Sequence, residues 1–364
     1  MTRCLPLLLL ALVLCASCEQ LQRAANKPGG VFGPSEKVLR EYHDSRWQAV
    51  VNAVAEGSDE VVLPDEPEVP KALEKLNLEQ GYQALAANRT SEELSWQALI
   101  EQSDLSMRFS AEVLDVLERN DADSISQIVP QIDDYASQQE TAMSDWRALR
   151  SQLRGSLDSL QQDWDSAWPD NEFDFDLLAQ VERIQADQLG RLSPERIAAL
   201  THYHDNEFSR LATDYLEYEP AEAEEISAVA HVPADCEGIS DATRRLEAAL
   251  IVRHALDSAI VRDRELVESY VPGVLGKGPI SNVSIPDTRY GSHRARLAVA
   301  RLELYSMLDG LVTDVLDVMI YDVNREWTLA WPGNELENNI FAYAGVQQTV
   351  PRLEDPYEAP ASKP

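Results

Sequence analysis

Lysine and cysteine are both scarce in this 364-residue chain. Only six of its 31 bases are Lys, so Arg carries nearly all of the positive charge. Against those bases stand 63 acids, for a formal net charge of -32. Such a surface repels nucleic acid and anionic lipid headgroups, and nucleic acid is therefore not expected as a partner. An acidic, Lys-poor composition suits either a salt-rich medium or a GC-rich genome, and the sequence does not separate the two. Runs of alternating polar and apolar residues are missing too, which excludes a sheet protein and leaves an all-α, long-helix bundle as the expected fold.

The reactive motifs of common enzymes are equally scarce. No Gly-x-Ser-x-Gly elbow occurs, and Gly273-Val-Leu-Gly276-Lys277-Gly278 lacks the spacer, the hydroxyl residue and the preceding strand of a phosphate loop. Acid pairs abound in so acidic a chain, so none of them points to acid–base catalysis. No EF-hand spacing is found. The expectation is a protein that is not an enzyme and needs no cofactor.

What the sequence does contain is a repeat. Asp163-Trp164-Asp165-Ser166-Ala167-Trp168-Pro169-Asp170-Asn171-Glu172-Phe173-Asp174 returns as Glu326-Trp327-Thr328-Leu329-Ala330-Trp331-Pro332-Gly333-Asn334-Glu335-Leu336-Glu337. Trp, Ala, Trp, Pro, Asn and Glu keep one register, and four of the seven Trp residues lie in the two copies. Pro169 and Pro332 disfavour the helical region for the preceding Trp and so end a helix. Asn171 and Asn334, each with an acid three residues on, read as N-caps of a following helix. The Trp pairs 164/168 and 327/331 are expected to pack at a helix corner; an exposed aromatic corner for a sugar or peptide is the alternative.

The N-terminus carries the most specific functional signal. Arg3 precedes the apolar run Leu5–Leu14, too short for a membrane span and of the length of a signal-peptide core. Cys15-Ala16-Ser17-Cys18-Glu19 follows directly. Small residues before a Cys at this place resemble the lipobox of bacterial lipoproteins, with Cys15 standing where that family prefers Leu. The resemblance implies export, a diacylglyceryl group on Cys18, and cleavage before it. Because Glu19 is not the Asp that retains enteric members at the inner membrane, it implies an outer-membrane anchor facing the periplasm; a soluble periplasmic or secreted protein is the alternative. An acylated Cys18 leaves Cys236 as a lone thiol.

The order along the chain reads as a signal peptide (1–17), a tether (18–33), N-terminal helices and an acidic linker (34–89), a first helical unit (90–217), an acidic linker (218–239), a second helical unit (240–350) and a disordered tail (351–364). Ser35 caps a first helix, Thr90-Ser-Glu-Glu93 a second, and Ser193-Pro194 a third. Trp146, Leu149, Leu153, Leu157, Leu160 and Trp164 mark one face of a helix over about 124–166. Leu304, Leu308, Leu311, Val315 and Val318 step by four and three, so the helix over about 292–331 packs along another and is central. The two units, each ended by a Trp corner, are related in order.

One histidine cluster remains, His202, His204 and Glu207. His204 and Glu207 share a helix face, a spacing that helical metal sites use, and the pair resembles the His-x-x-Glu of imelysin-like helical lipoproteins without the Gly that precedes it there. His204 also lies on the apolar stripe Ile197, Leu200, Phe208, Leu211 and Tyr215, which makes a core histidine the expected role. The functional expectation is a lipid-anchored envelope protein with a structural or partner-binding role. Its partners would be the membrane, through the N-terminal lipid, and an envelope protein or glycan. A periplasmic metal-binding protein is the alternative.

Overall fold

The computed structural model describes residues 35–55, 61–65, 68–71, 73–119, 122–188, 193–216, 218, 236–273, 275, 285, 292–331 and 333–346. Among them the fold is all-α: eight helices and no strand. They are α1 (Glu36–Ala55), α2 (Leu78–Glu118), α3 (Ala122–Ala167), α4 (Leu177–Gln188), α5 (Pro194–Tyr215), α6 (Glu237–Tyr270), α7 (Ser292–Ala330) and α8 (Ile340–Tyr343). No helix among the described residues is long and apolar enough to cross a membrane. The expected signal peptide, Cys18, the expected tether, most of the expected 218–239 linker and the expected tail lie outside the described residues.

Capping fixes several helix starts locally. Ser35 Oγ accepts from Val38 N at 3.3 Å, and Ser193 Oγ accepts from Arg196 N at 3.2 Å with Pro194 at the first helical position. Thr90 behaves differently. The helix expected to begin there is continuous from Leu78, and Arg89 forms ion pairs with Glu92 and Glu93 along the helix side. The box sequence is present, but the residues before it are good helix formers, so no end exists to be capped.

The contacts divide the chain into two compact units, and not at the boundaries read from sequence. One holds residues up to Glu93 with Ala148–Ile184; the other holds Leu94–Arg147 with Gln185 onwards. In the first, α1, the start of α2, the end of α3 and the start of α4 surround Tyr42, Trp47, Tyr82, Leu85, Leu160, Trp164 and Leu177. Gly81 brings α2 close to α3, since a Cβ there would sit 3.2 Å from Leu160 Cδ1. Asn88 ties the same helices together, donating to Ser156 Oγ and accepting from Gln152 Nε2.

In the second unit α6 and α7 pack along one another. Leu304, Leu308, Leu311, Val315 and Val318 are all buried, as their spacing predicts for a central helix. Two ion pairs join these helices, the first buried and the second partly exposed. Arg301 donates to both oxygens of Asp263 at 2.6 and 2.8 Å, and Arg245 reaches Asp322 at 2.5 Å. Leu94–Glu118 of α2 and Ala122–Arg147 of α3 belong to this unit. There Trp96, Trp146 and Tyr321 form an aromatic cluster, and Gln139 bridges the Ser103 and Ser106 hydroxyls.

Candidate functional site

Both Trp repeats build the same backbone corner. Trp168 N donates to Trp164 O at 2.7 Å and Trp331 N to Trp327 O at 2.9 Å, the last helical bonds of α3 and α7. Asn171 and Asn334 then close the turn in the same way. Each side-chain amide donates to the carbonyl of the second Trp, at 2.7 and 2.8 Å, and each side-chain oxygen accepts from the backbone N–H two residues on, at 3.2 Å. The expected helix caps are therefore turn locks. The caps themselves fall to Asp176, which accepts from Ala179 N, and to Asn339, which accepts from Phe341 N and Ala342 N. Among the described residues after the second corner, the helix is the single turn Ile340–Tyr343. Gly333 supplies a left-handed backbone at φ 71° in the second corner, a conformation that a Cβ disfavours.

A buried histidine stands against the first Trp of each corner. In the first unit His43 of α1 meets Trp164 edge-on, with ring centroids 5.2 Å apart at 86°. In the second, His204 of α5 meets Trp327 at 5.3 Å and 83°. A tyrosine precedes each histidine. Tyr42 lies 6.2 Å from Trp164, and Tyr203 lies 6.3 Å from Trp327. An aromatic ring one turn later stacks on each imidazole, Trp47 on His43 and Phe208 on His204.

The first corner is the more polar in its core. Trp164 Nε1–H donates to Tyr82 Oη at 2.8 Å, and the same oxygen lies 2.8 Å from His43 Nδ1. Indole can only donate, so Tyr82 Oη accepts there, and it meets the neutral His43 imidazole on its other side. Phe173 stacks on the opposite face at 3.8 Å. Burial, helped by the nearby Arg40 guanidinium, pushes the His43 pKa down to about 3. Burial likewise raises the Tyr82 hydroxyl well above its ordinary value. In the second corner the residue at the spacing of Tyr82 is Thr243, whose hydroxyl donates to Ile239 O. There His204 Nε2–H donates to Glu337 O at 3.1 Å and Nδ1 lies 3.2 Å from Asp205.

The residues singled out from sequence are not brought together as one site. His204 is buried among rings, whereas His202 is exposed and pairs with Asn206. Glu207 is held by Arg210, which also binds Glu247 at 2.6 Å. Among the described residues no group of three or more His, Cys, Asp or Glu is placed to hold a metal ion. Trp164, Trp168 and Trp327 are buried and Trp331 is half-buried against the core, so these rings are packing surfaces and not an open stacking platform. Cys236 is buried and lies 3.0 Å from Arg196 Nη2.

His43 and Tyr82 were not singled out by sequence reasoning. One signal was available: Tyr42-His43-Asp44 recurs as Tyr203-His204-Asp205. Both tripeptides precede a corner, and both place the imidazole on its first Trp. Comparison of the chain with protein-family models, with curated proteins and with solved structures finds no match.

Proposed function

We propose that this chain is an exported, lipid-anchored helical protein of the bacterial envelope, held at the outer membrane through Cys18 and serving a non-catalytic, partner-binding or structural role. One observation carries the reading: the short apolar run behind Arg3 ends directly at Cys15-Ala16-Ser17-Cys18. The histidine environments support the non-catalytic part. His43 and His204 are wrapped in aromatic rings and engaged by Tyr82 and by the Glu337 carbonyl, and they serve as packing centres of their corners.

The same reading extends to architecture. Along the chain α1–α4 and α5–α8 are two related segments, each ended by a Trp corner upon a Tyr-His-Asp helix, while the compact units divide within α2 and α3. The duplication thus includes α1 and α5, ahead of the segments that the Trp repeat alone would relate. The matched hydrogen bonds of Asn171 and Asn334, and the matched edge-on histidines, support it.

The test is the intact mass of the mature N-terminus from a membrane fraction, beside a Cys18→Ala variant. A diacylglyceryl or triacyl adduct on Cys18, lost together with membrane association in the variant, is the expected result. An unmodified N-terminus in the soluble fraction would discard the anchor.

A further inference from the structure

Where α2 and α3 run side by side in the second unit, they leave a solvent-facing groove of about 450 Å³. Its walls are Ser95, Ala98 and Gln102 of α2, and Ser137, Thr141 and Asp145 of α3. Small side chains dominate, so the two backbones are thinly covered along the groove. Beneath them the helices are joined by Gln139 and its two serines and by the Trp96–Trp146 contact. The groove is therefore preformed and need not open.

Two features define what fits. First, Leu94 and Leu105 stand on the α2 edge of the groove, 66% and 49% exposed, three helical turns apart on the face that carries Ala98. The pair spans about 16 Å of helix and offers two apolar contacts along one face. Second, the charges beside the groove are mainly acidic. Asp134 and Asp145 share the α3 face with Thr141, Glu101 stands on the α2 edge, and all three are exposed. Arg108 of α2 stands two turns beyond Glu101 on nearly the same stripe, past Leu105.

We propose that this groove docks a basic amphipathic helix of a partner protein. A third helix can approach a small-residue floor to the usual interaxial distance of about 8–10 Å. Its apolar residues, recurring every three or four positions, then meet Leu94, Ala98 and Leu105, while its Lys and Arg side chains reach Glu101, Asp134 and Asp145. Charge favours such a helix over a second copy of this chain, which brings the same net charge of -32. The inference rests on the partner-binding part of the proposed function. It is independent of the lipid on Cys18, so its test can fail while that reading stands.

The probe is a fluorescein-labelled Lys/Leu amphipathic peptide of about five helical turns, with a sequence-scrambled peptide of equal composition as control. Anisotropy on the purified full-length chain should show the amphipathic peptide binding at least about tenfold more tightly than the scramble, a difference of about 1.4 kcal/mol. Thr141→Trp fills the groove at an exposed position and should weaken binding by about tenfold; Asp145→Lys should weaken it more at low salt than at high salt. Equal affinity for the scramble, or no loss in either variant while helicity is unchanged, would overturn the proposal and assign binding to net charge alone. A dimer in sedimentation velocity that Thr141→Trp dissociates would overturn it in favour of a second copy.

Discussion

At the scale of single residues, the first corner is organised by one phenol. Tyr82 Oη satisfies the Trp164 indole and the His43 imidazole at once, and both rings are otherwise shut away from water. Neutral His43 is part of that arrangement, which ties the unit's stability to pH. In the unfolded chain the imidazole titrates near its ordinary value of about 6.5; in the fold it does so at about 3. The folded state therefore prefers the neutral form. Stability is full above about pH 6.5 and falls as the pH drops towards 3, by up to about 1.4 kcal/mol per pH unit. Arg40 is the other charge acting on this ring. Asp44 beside it, whose carboxyl is raised by burial, contributes in the opposite sense at lower pH. Urea titrations at pH 7 and pH 5 should thus show a loss for the wild type that is smaller in His43→Gln. An equal loss in both would remove His43 as its cause.

At the scale of helices, the chain shows how much a local signal depends on its surroundings. Ser193 and Thr90 both read as helix starts. Ser193 caps α5 through Arg196 N, while Thr90 lies inside the continuous α2. Replacing each by Ala should separate them. Ser193→Ala should cost about 1 kcal/mol in chemical denaturation, the usual worth of such a cap, whereas Thr90→Ala should stay within about 0.5 kcal/mol. A comparable loss at both sites would mean that α2 breaks at Thr90 in solution. The corners make the same point about Asn171 and Asn334. Their side chains are a cap-type residue in a capping-type sequence, yet the helix that follows begins later, and the amides bind back to the helix that has just ended.

At the scale of the whole molecule, two like corners predict matched energetics. Asn171 and Asn334 make the same two hydrogen bonds in their respective corners at nearly equal distances. Each is half-buried, so Asn171→Ala and Asn334→Ala should each cost about 2 kcal/mol, the net worth of two typical hydrogen bonds, and the double variant should lose about the sum. Thermal unfolding followed by circular dichroism would measure this. A large cost at one corner with none at the other would break the equivalence. The two corners already differ in one respect. Tyr82 bridges His43 and Trp164 in the first, but at the corresponding spacing the second has Thr243, and His204 turns to a backbone carbonyl instead. The pH dependence argued for His43 is accordingly a property of one unit.

The sequence by itself determined the class of fold, the helix starts at Ser35 and Ser193, the buried stripe of α7 and the existence of two like corners. Each of these rests on local physics: a 3.6-residue period, a side chain reaching its own backbone, a Pro that ends a helix. Tertiary structure decided what the corners contain. His43 meets Tyr82 across 39 residues and Tyr82 meets Trp164 across 82, and no periodicity specifies such partners. It also decided that α2 runs through Thr90, that Asn171 and Asn334 lock turns and leave capping to others, and that contacts divide within α2 and α3. Those outcomes depend on which buried polar groups find partners once the helices pack, a choice made between segments far apart in the chain and settled only when burial makes an unpaired donor costly.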